Sequence, residues 1–175
     1  MKKITLLVLV AVAFAACQKS GTTSPKTTIT PKDTIPEKGT MFVQLVKDSS
    51  TKDEIAIQFS KTYHLTYDAY EDNRVPVSSP PVLLSAIASD GTVLNWDGVP
   101  YTPGMSIALA ANVTSSGPYF LKVSRLVNIP SNIQVWCKDN LLKDSLDIRK
   151  GNYHFNIDNA DTNSFGKKRF QIVVR

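Results

Sequence analysis

An all-β fold, an antiparallel β-sandwich of the Ig-like or jelly-roll-like kind, is what most of this 175-residue sequence predicts. Three observations carry that expectation. Apolar residues recur with a period of two, which puts one face of a strand on a core and the other in water. Turn signals fall between these runs at short, regular intervals, as in sandwiches and barrels. No segment repeats its apolar residues at a helical period.

The strands follow in order. FVQLV (Phe42 to Val46) opens the domain, which we place at residues 41–175. DEIAIQFS sets Ile55, Ile57 and Phe59 on one face, against Glu54, Gln58 and Ser60. PVLLSAIA (Pro81 to Ala88) is apolar on both faces, as a fully covered strand would be. Ile107 and Leu109 share a face, and so do Tyr119, Leu121 and Val123. NIQVWCKD alternates Ile133, Val135 and Cys137 inward and Trp136 outward. Tyr153, Phe155 and Ile157 form a further set, and Phe170, Ile172 and Val174 the last, with Arg169 on the face opposite Phe170. SDGT (Ser89 to Thr92), WDGVPYTPG (Trp96 to Gly104), SSGP (Ser115 to Pro118) and KGN (Lys150 to Asn152) read as turns.

Ahead of the domain the chain has a different character. Lys2 and Lys3 precede an apolar run from Ile4 to Ala16 that is too short to cross a bilayer but suits the core of a signal peptide, residues 1–16. Ala15, Ala16 and Cys17 resemble the bacterial lipobox, with Phe14 where Leu is commonest. That resemblance implies a diacylglycerol thioether on Cys17 and an acylated amine after cleavage. Each buried CH₂ contributes ~0.8 kcal/mol, so two or more chains hold a protein on a membrane. Residues 17–40, rich in Thr, Pro and Lys, cannot bury enough surface to offset ordering, so a disordered tether is expected. At ~3.1 Å per residue its reach is on the order of 70 Å. Thr34 in DTI, and more weakly Ser145 in DSL, resemble the Asp-Ser/Thr-aliphatic O-glycosylation motif of Bacteroidetes.

Charge argues against nucleic acid as a partner. The net +5 is carried mostly by the leader and tether; residues 41–175 hold 14 basic and 13 acidic residues. Lys167, Lys168 and Arg169 are too short a run for an electrostatic footprint.

Candidates for chemistry are few. With Cys17 acylated, Cys137 has no partner in the chain and reads as a buried small hydrophobe. His64 and His154 are the only histidines, without spacing that argues for a metal, so no metal or cofactor is expected. Asp158 and Asp161 lie in an oxygen-rich NIDNADTNS loop that lacks the EF-hand's Gly and closing Glu; a solvated hairpin is expected there. No GxSxG context accompanies any serine. Trp96, Tyr101 and Trp136 are the candidate residues for a glycan platform.

A longer resemblance spans nearly the whole domain. DEIAIQF with YDAYED (Asp53 to Asp72), LNWDGVP (Leu94 to Pro100), VWCKD (Val135 to Asp139), LDI (Leu146 to Ile148), YHF (Tyr153 to Phe155) and Arg169-Phe170 occur in that order. Together they resemble a β-sandwich module of Bacteroidetes cell-surface proteins, the penultimate domain of type IX-secreted chains. The resemblance implies a structural or accessory sandwich rather than an enzyme, here carried on a lipid anchor. The expected place is the outer membrane, tilted towards its periplasmic side because no acidic residues follow Cys17 in CQKSG. The expected partners are the membrane through the anchor, and envelope proteins or glycans. Glycan capture by a surface lipoprotein is the alternative role.

Overall fold

In the computed structural model the described residues are 38–77 and 80–175. The expectations for the signal peptide, Cys17 and Thr34 therefore lie outside the described residues. The unit Asp33–Arg175 holds all the structure that follows.

Eleven strands form it: β1 (Gly39–Val46), β2 (Lys52–Phe59), β3 (Asn73–Arg74), β4 (Val82–Ile87), β5 (Val93–Val99), β6 (Met105–Val113), β7 (Gly117–Val127), β8 (Val135–Asp139), β9 (Asp144–Asp147), β10 (Tyr153–Ile157) and β11 (Gly166–Val174). β1 starts two residues inside the stretch expected as tether. The strands run as one ribbon in the order β10-β7-β1-β2-β5-β4-β6-β11-β8-β9, with the short β3 beside β5. The ribbon bends until it nearly closes on itself. Its two arms, β10-β7-β1-β2 and β4-β6-β11-β8-β9, bring their inner faces onto one core. The fold is all-β.

The period-two reading holds for the residues it placed inward, whereas Ser60, placed outward, lies just past the end of β2 and is buried. Ile55, Ile57, Phe59, Ile107, Leu109, Tyr119, Leu121, Ile133, Val135, Cys137, Tyr153, Phe155, Ile157, Phe170, Ile172 and Val174 are all buried in that core. Val123 is only partly buried against it. Where β10 faces β11, the rings of Phe155 and Phe170 lie 4.5 Å apart, which ties the ends of the two arms together.

Two local expectations are corrected. Trp96 to Val99 was expected within a turn but belongs to β5, the strand that joins the arms. β5 lies parallel to β2, from Ala56↔Trp96 to Phe59↔Val99, and antiparallel to β3 and β4. It is the one parallel pairing among the described strands, so the ribbon is not antiparallel throughout. The Asp-Gly pair that suggested a turn is here spent on packing, as shown below. Arg169, expected on the face opposite Phe170, is buried with it. The register of β11 against β6 slips between Gly166 and Phe170, and Gly166 has φ +82°. A bulge of this kind re-aims the side chains beside it, so simple alternation fails there.

Candidate functional site

The loop between β2 and β3, residues 60–72, is where this fold gathers its acids. It is pinned to the strands from several directions. Ser60 N–H donates to the Val99 carbonyl at 3.1 Å, and Ser89 N–H to the Leu65 carbonyl at 2.8 Å. Tyr67 N–H donates to Asp90 Oδ2 at 3.2 Å. Asp72 accepts from Gly98 N–H at 2.7 Å and from Asp68 N–H at 2.8 Å, so both its oxygens are occupied. The loop lies so close over β5 that a Cβ on Gly98 would sit 3.0 Å from Glu71 Cβ and from the Glu71 carbonyl oxygen. Glycine at position 98 is what lets it seat.

Within this loop His64, Asp68 and Glu71 bring one ligand atom each to within 4.8 Å of the others. Glu71 Oε2 accepts His64 N–H at 2.8 Å, and Oε1 faces His64 Nδ1 at 3.0 Å. Asp68 Oδ1 is held by Tyr70 N–H, and Oδ2 lies 3.9 Å from the same imidazole nitrogen. One imidazole and two carboxylates form a donor set that borderline divalent cations accept. Without any cation, Glu71 already holds both the main-chain N–H and the imidazole Nδ1 of His64. Spacing in the sequence did not single these residues out, because an irregular loop rather than a helix or strand brings them together.

Against the same loop lies a cavity of about 250 Å³. Leu65 comes from the loop, Ile87 and Ala88 from the end of β4, Asp97 and Val99 from β5, and Ile107 and Ala108 from β6. Asp97 is 2% exposed, and no described residue donates a hydrogen bond to its carboxylate. Burial, and secondarily the negative charge of Asp72, push its carboxyl up to about 7. The expectations from sequence did not include Asp97, which sat in a segment read as turn.

The glycan-platform candidates are not brought together. Trp96 sits on β5, edge-on to Phe42 at 6.4 Å, with the Arg125 guanidinium 3.8 Å over the Phe42 ring. Tyr101 packs edge-on against Phe59 in the core region. Trp136 lies on β8, four strands from β5 along the ribbon, or roughly 19 Å of sheet. Its indole N–H donates to Gln134 at 2.9 Å, and the Arg175 guanidinium lies 5.7 Å from its ring.

The remaining candidates are held in local structure. Cys137 is fully buried, and burial pushes its thiol far above the usual range. Asp158 accepts Ala160 N–H, and Asp161 accepts both nitrogens of Asn163, so these carboxylates brace their own hairpin loop. Ser145 is exposed on β9. His154 is exposed on β10 and lies 5.2 Å from the Phe120 ring. Arg169 and Asp139 form a buried pair, with Nε and Nη2 both donating to the carboxylate. Its Nη1 donates to the carbonyls of Asn156 and Ser164. A hollow of about 470 Å³ near Asn140, Leu141, Phe165, Lys167 and Lys168 adjoins this pair. Each nitrogen of the guanidinium already donates to a protein acceptor, which ties it to the fold rather than to that hollow.

No protein-family model, curated protein or solved structure matches the chain.

Proposed function

We propose that the chain is a lipid-anchored β-sandwich of the cell envelope that works without catalysis, as a structural or interaction module. The observation that carries this reading is the order of parts along one chain. An apolar run ends at Cys17, a Thr, Pro and Lys-rich stretch follows, and a strand ribbon folded about a single core begins at Gly39. Acyl chains on Cys17 would fix the protein to the outer membrane, and the stretch after it would hold the sandwich clear of the headgroups. The similarity to Bacteroidetes surface modules supports the same role.

Metabolic labelling with radioactive palmitate tests it. The wild-type chain takes up label and fractionates with membranes, and Cys17→Ser loses the label and enters the soluble fraction. An unlabelled, soluble wild-type chain overturns the reading. Protease treatment of intact and permeabilised cells then tells which side of the membrane the sandwich faces.

A second reading, glycan capture, draws on the outer face of β1, β5 and β7. There Phe42, Trp96 and Arg125 cluster beside Glu54, which accepts hydrogen bonds from Gln44 and Ser124. Aromatic faces edged by such polar groups suit sugar rings. Binding on a glycan array that Trp96→Ala abolishes would favour it; a blank array would remove it.

A further inference from the structure

We propose that the cavity bounded by Leu65, Ile87, Asp97 and Ile107 binds a small primary alkylammonium ion, with the ammonium paired to the Asp97 carboxylate. The inference is independent of whether Cys17 carries lipid.

Asp97 stands apart from the other buried aspartates. Asp72 accepts two backbone N–H groups. Asp139 accepts from Arg169 and from the N–H groups of Leu141 and Leu142. Asp147 accepts from the N–H groups of Val135 and Arg149 and pairs with Lys150 at 3.1 Å. Asp97 alone has no donor, although it is as buried as they are. A buried carboxylate without a partner costs several kcal/mol, which makes the missing donor the feature to account for.

The donor has room outside the protein's own side chains, because Asp97 lines a cavity of about 250 Å³. A cavity of ~150 Å³ holds benzene, so this one suits a body of about six to ten non-hydrogen atoms. The remaining wall is mainly apolar: Leu65, Ile87, Ala88, Val99, Ile107 and Ala108. Exposed Ser89 and Ser106 lie at its rim, and the Ser106 hydroxyl is turned towards Gln171.

Charge and donor count then select the ligand. Asp97 with Asp72 beside it repels anions. A single carboxylate cannot supply the six or more oxygens that a hard divalent cation takes. Water entering past Ser89 and Ser106 meets mostly apolar wall, so a ligand with an apolar body displaces it readily. An ammonium head on a short apolar body meets the carboxylate with several N–H donors and leaves the apolar walls to the carbon chain.

Calorimetric titration of the full chain with n-pentylammonium and, separately, with n-pentanol tests the proposal. The expected result is saturable one-to-one binding of the amine and at least tenfold weaker binding of the alcohol. Asp97→Asn, nearly the same shape, should weaken amine binding tenfold or more. Ala108→Phe, which fills the cavity and leaves Asp97 in place, should also abolish it; circular dichroism checks that both variants fold. The absence of saturable heat from the amine with the wild-type chain overturns the proposal. So does equal affinity for amine and alcohol, or binding unchanged by Asp97→Asn.

Discussion

Taking a guanidinium out of water is tolerated when its nitrogens find acceptors, and each of the three nitrogens of Arg169 does. Asp139 takes two of its nitrogens, and backbone carbonyls of the β10–β11 region take the third. The rings of Phe155 and Phe170 lie 4.8 and 4.7 Å from its charged carbon. Arg169→Met leaves Asp139 buried and uncompensated. We expect a loss of about 3–5 kcal/mol in urea unfolding, with much of it recovered in the double variant Arg169→Met/Asp139→Leu. A single-variant loss below about 1 kcal/mol would show that the pair is not what closes this end. Asp97 makes the opposite kind of statement. Burial, and after it the charge of Asp72, push its carboxyl from the ordinary 3.8 up to about 7. Between those values the folded chain holds a proton that the unfolded chain has lost. Stability contributed by this group therefore falls as pH rises from about 4 to about 7 and is level above, with a span on the order of 4 kcal/mol at most. Burial is the main cause of this shift and Asp72 the one charged neighbour that adds to it; the cavity walls from β4 and β6 carry no charge. Asp97→Asn should flatten that part of the curve, measured without added amine; an unchanged pH profile would mean that Asp97 is solvated in the fold.

At the scale of elements, β5 decides how the arms meet, and Gly98 decides how close the β2–β3 loop can come to it. A Cβ at position 98 would press on the Glu71 backbone and on Tyr63, neither of which yields without moving the loop. Gly98→Ala should cost about 1–3 kcal/mol and loosen amide protection at His64 to Asp72 in hydrogen exchange. Unchanged protection there would show that the loop is held by its other contacts. This segment also marks the limit of what the sequence makes legible. β2, β6, β7, β8, β10 and β11 were readable because each puts alternate apolar side chains on one core, and β1 and β4 because they are short apolar-rich runs. β5 was not, because Trp-Asp-Gly carries the residue types of a turn; its glycine serves a close approach and its aspartate faces a cavity. β9 was missed because an edge strand reading DSLD has only one apolar residue to show a period. Arg169 was misplaced because a bulge breaks the parity that alternation assumes. The acid-rich loop was invisible as a site, since His64, Asp68 and Glu71 meet only through the irregular course of the loop, which no period announces.

At the scale of the whole molecule, strands from opposite ends of the described chain lie inside the ribbon. β1 sits between β7 and β2, so Phe42 pairs with Arg125 as well as with Ala56. β11 sits between β6 and β8, with Ile172 opposite both Ile107 and Cys137. Pairings this distant must close long loops before any contact rewards them, which slows folding. We expect refolding from urea in the millisecond-to-second range, as for other domains built from non-local strand pairs. The arrangement has a sharper consequence. Removing β11 would strip the core of Phe170, Ile172 and Val174, take away Arg169, and leave two strands, β6 and β8, with exposed edges. Unpaired edges of this kind pair with other chains instead. A chain ended at Phe165 should therefore show no cooperative urea transition and should aggregate at micromolar concentration. A cooperative transition in that truncated chain, with near-native aromatic circular dichroism, would mean that the β10-β7-β1-β2 arm folds by itself. The ribbon would then be two folding units joined at β5.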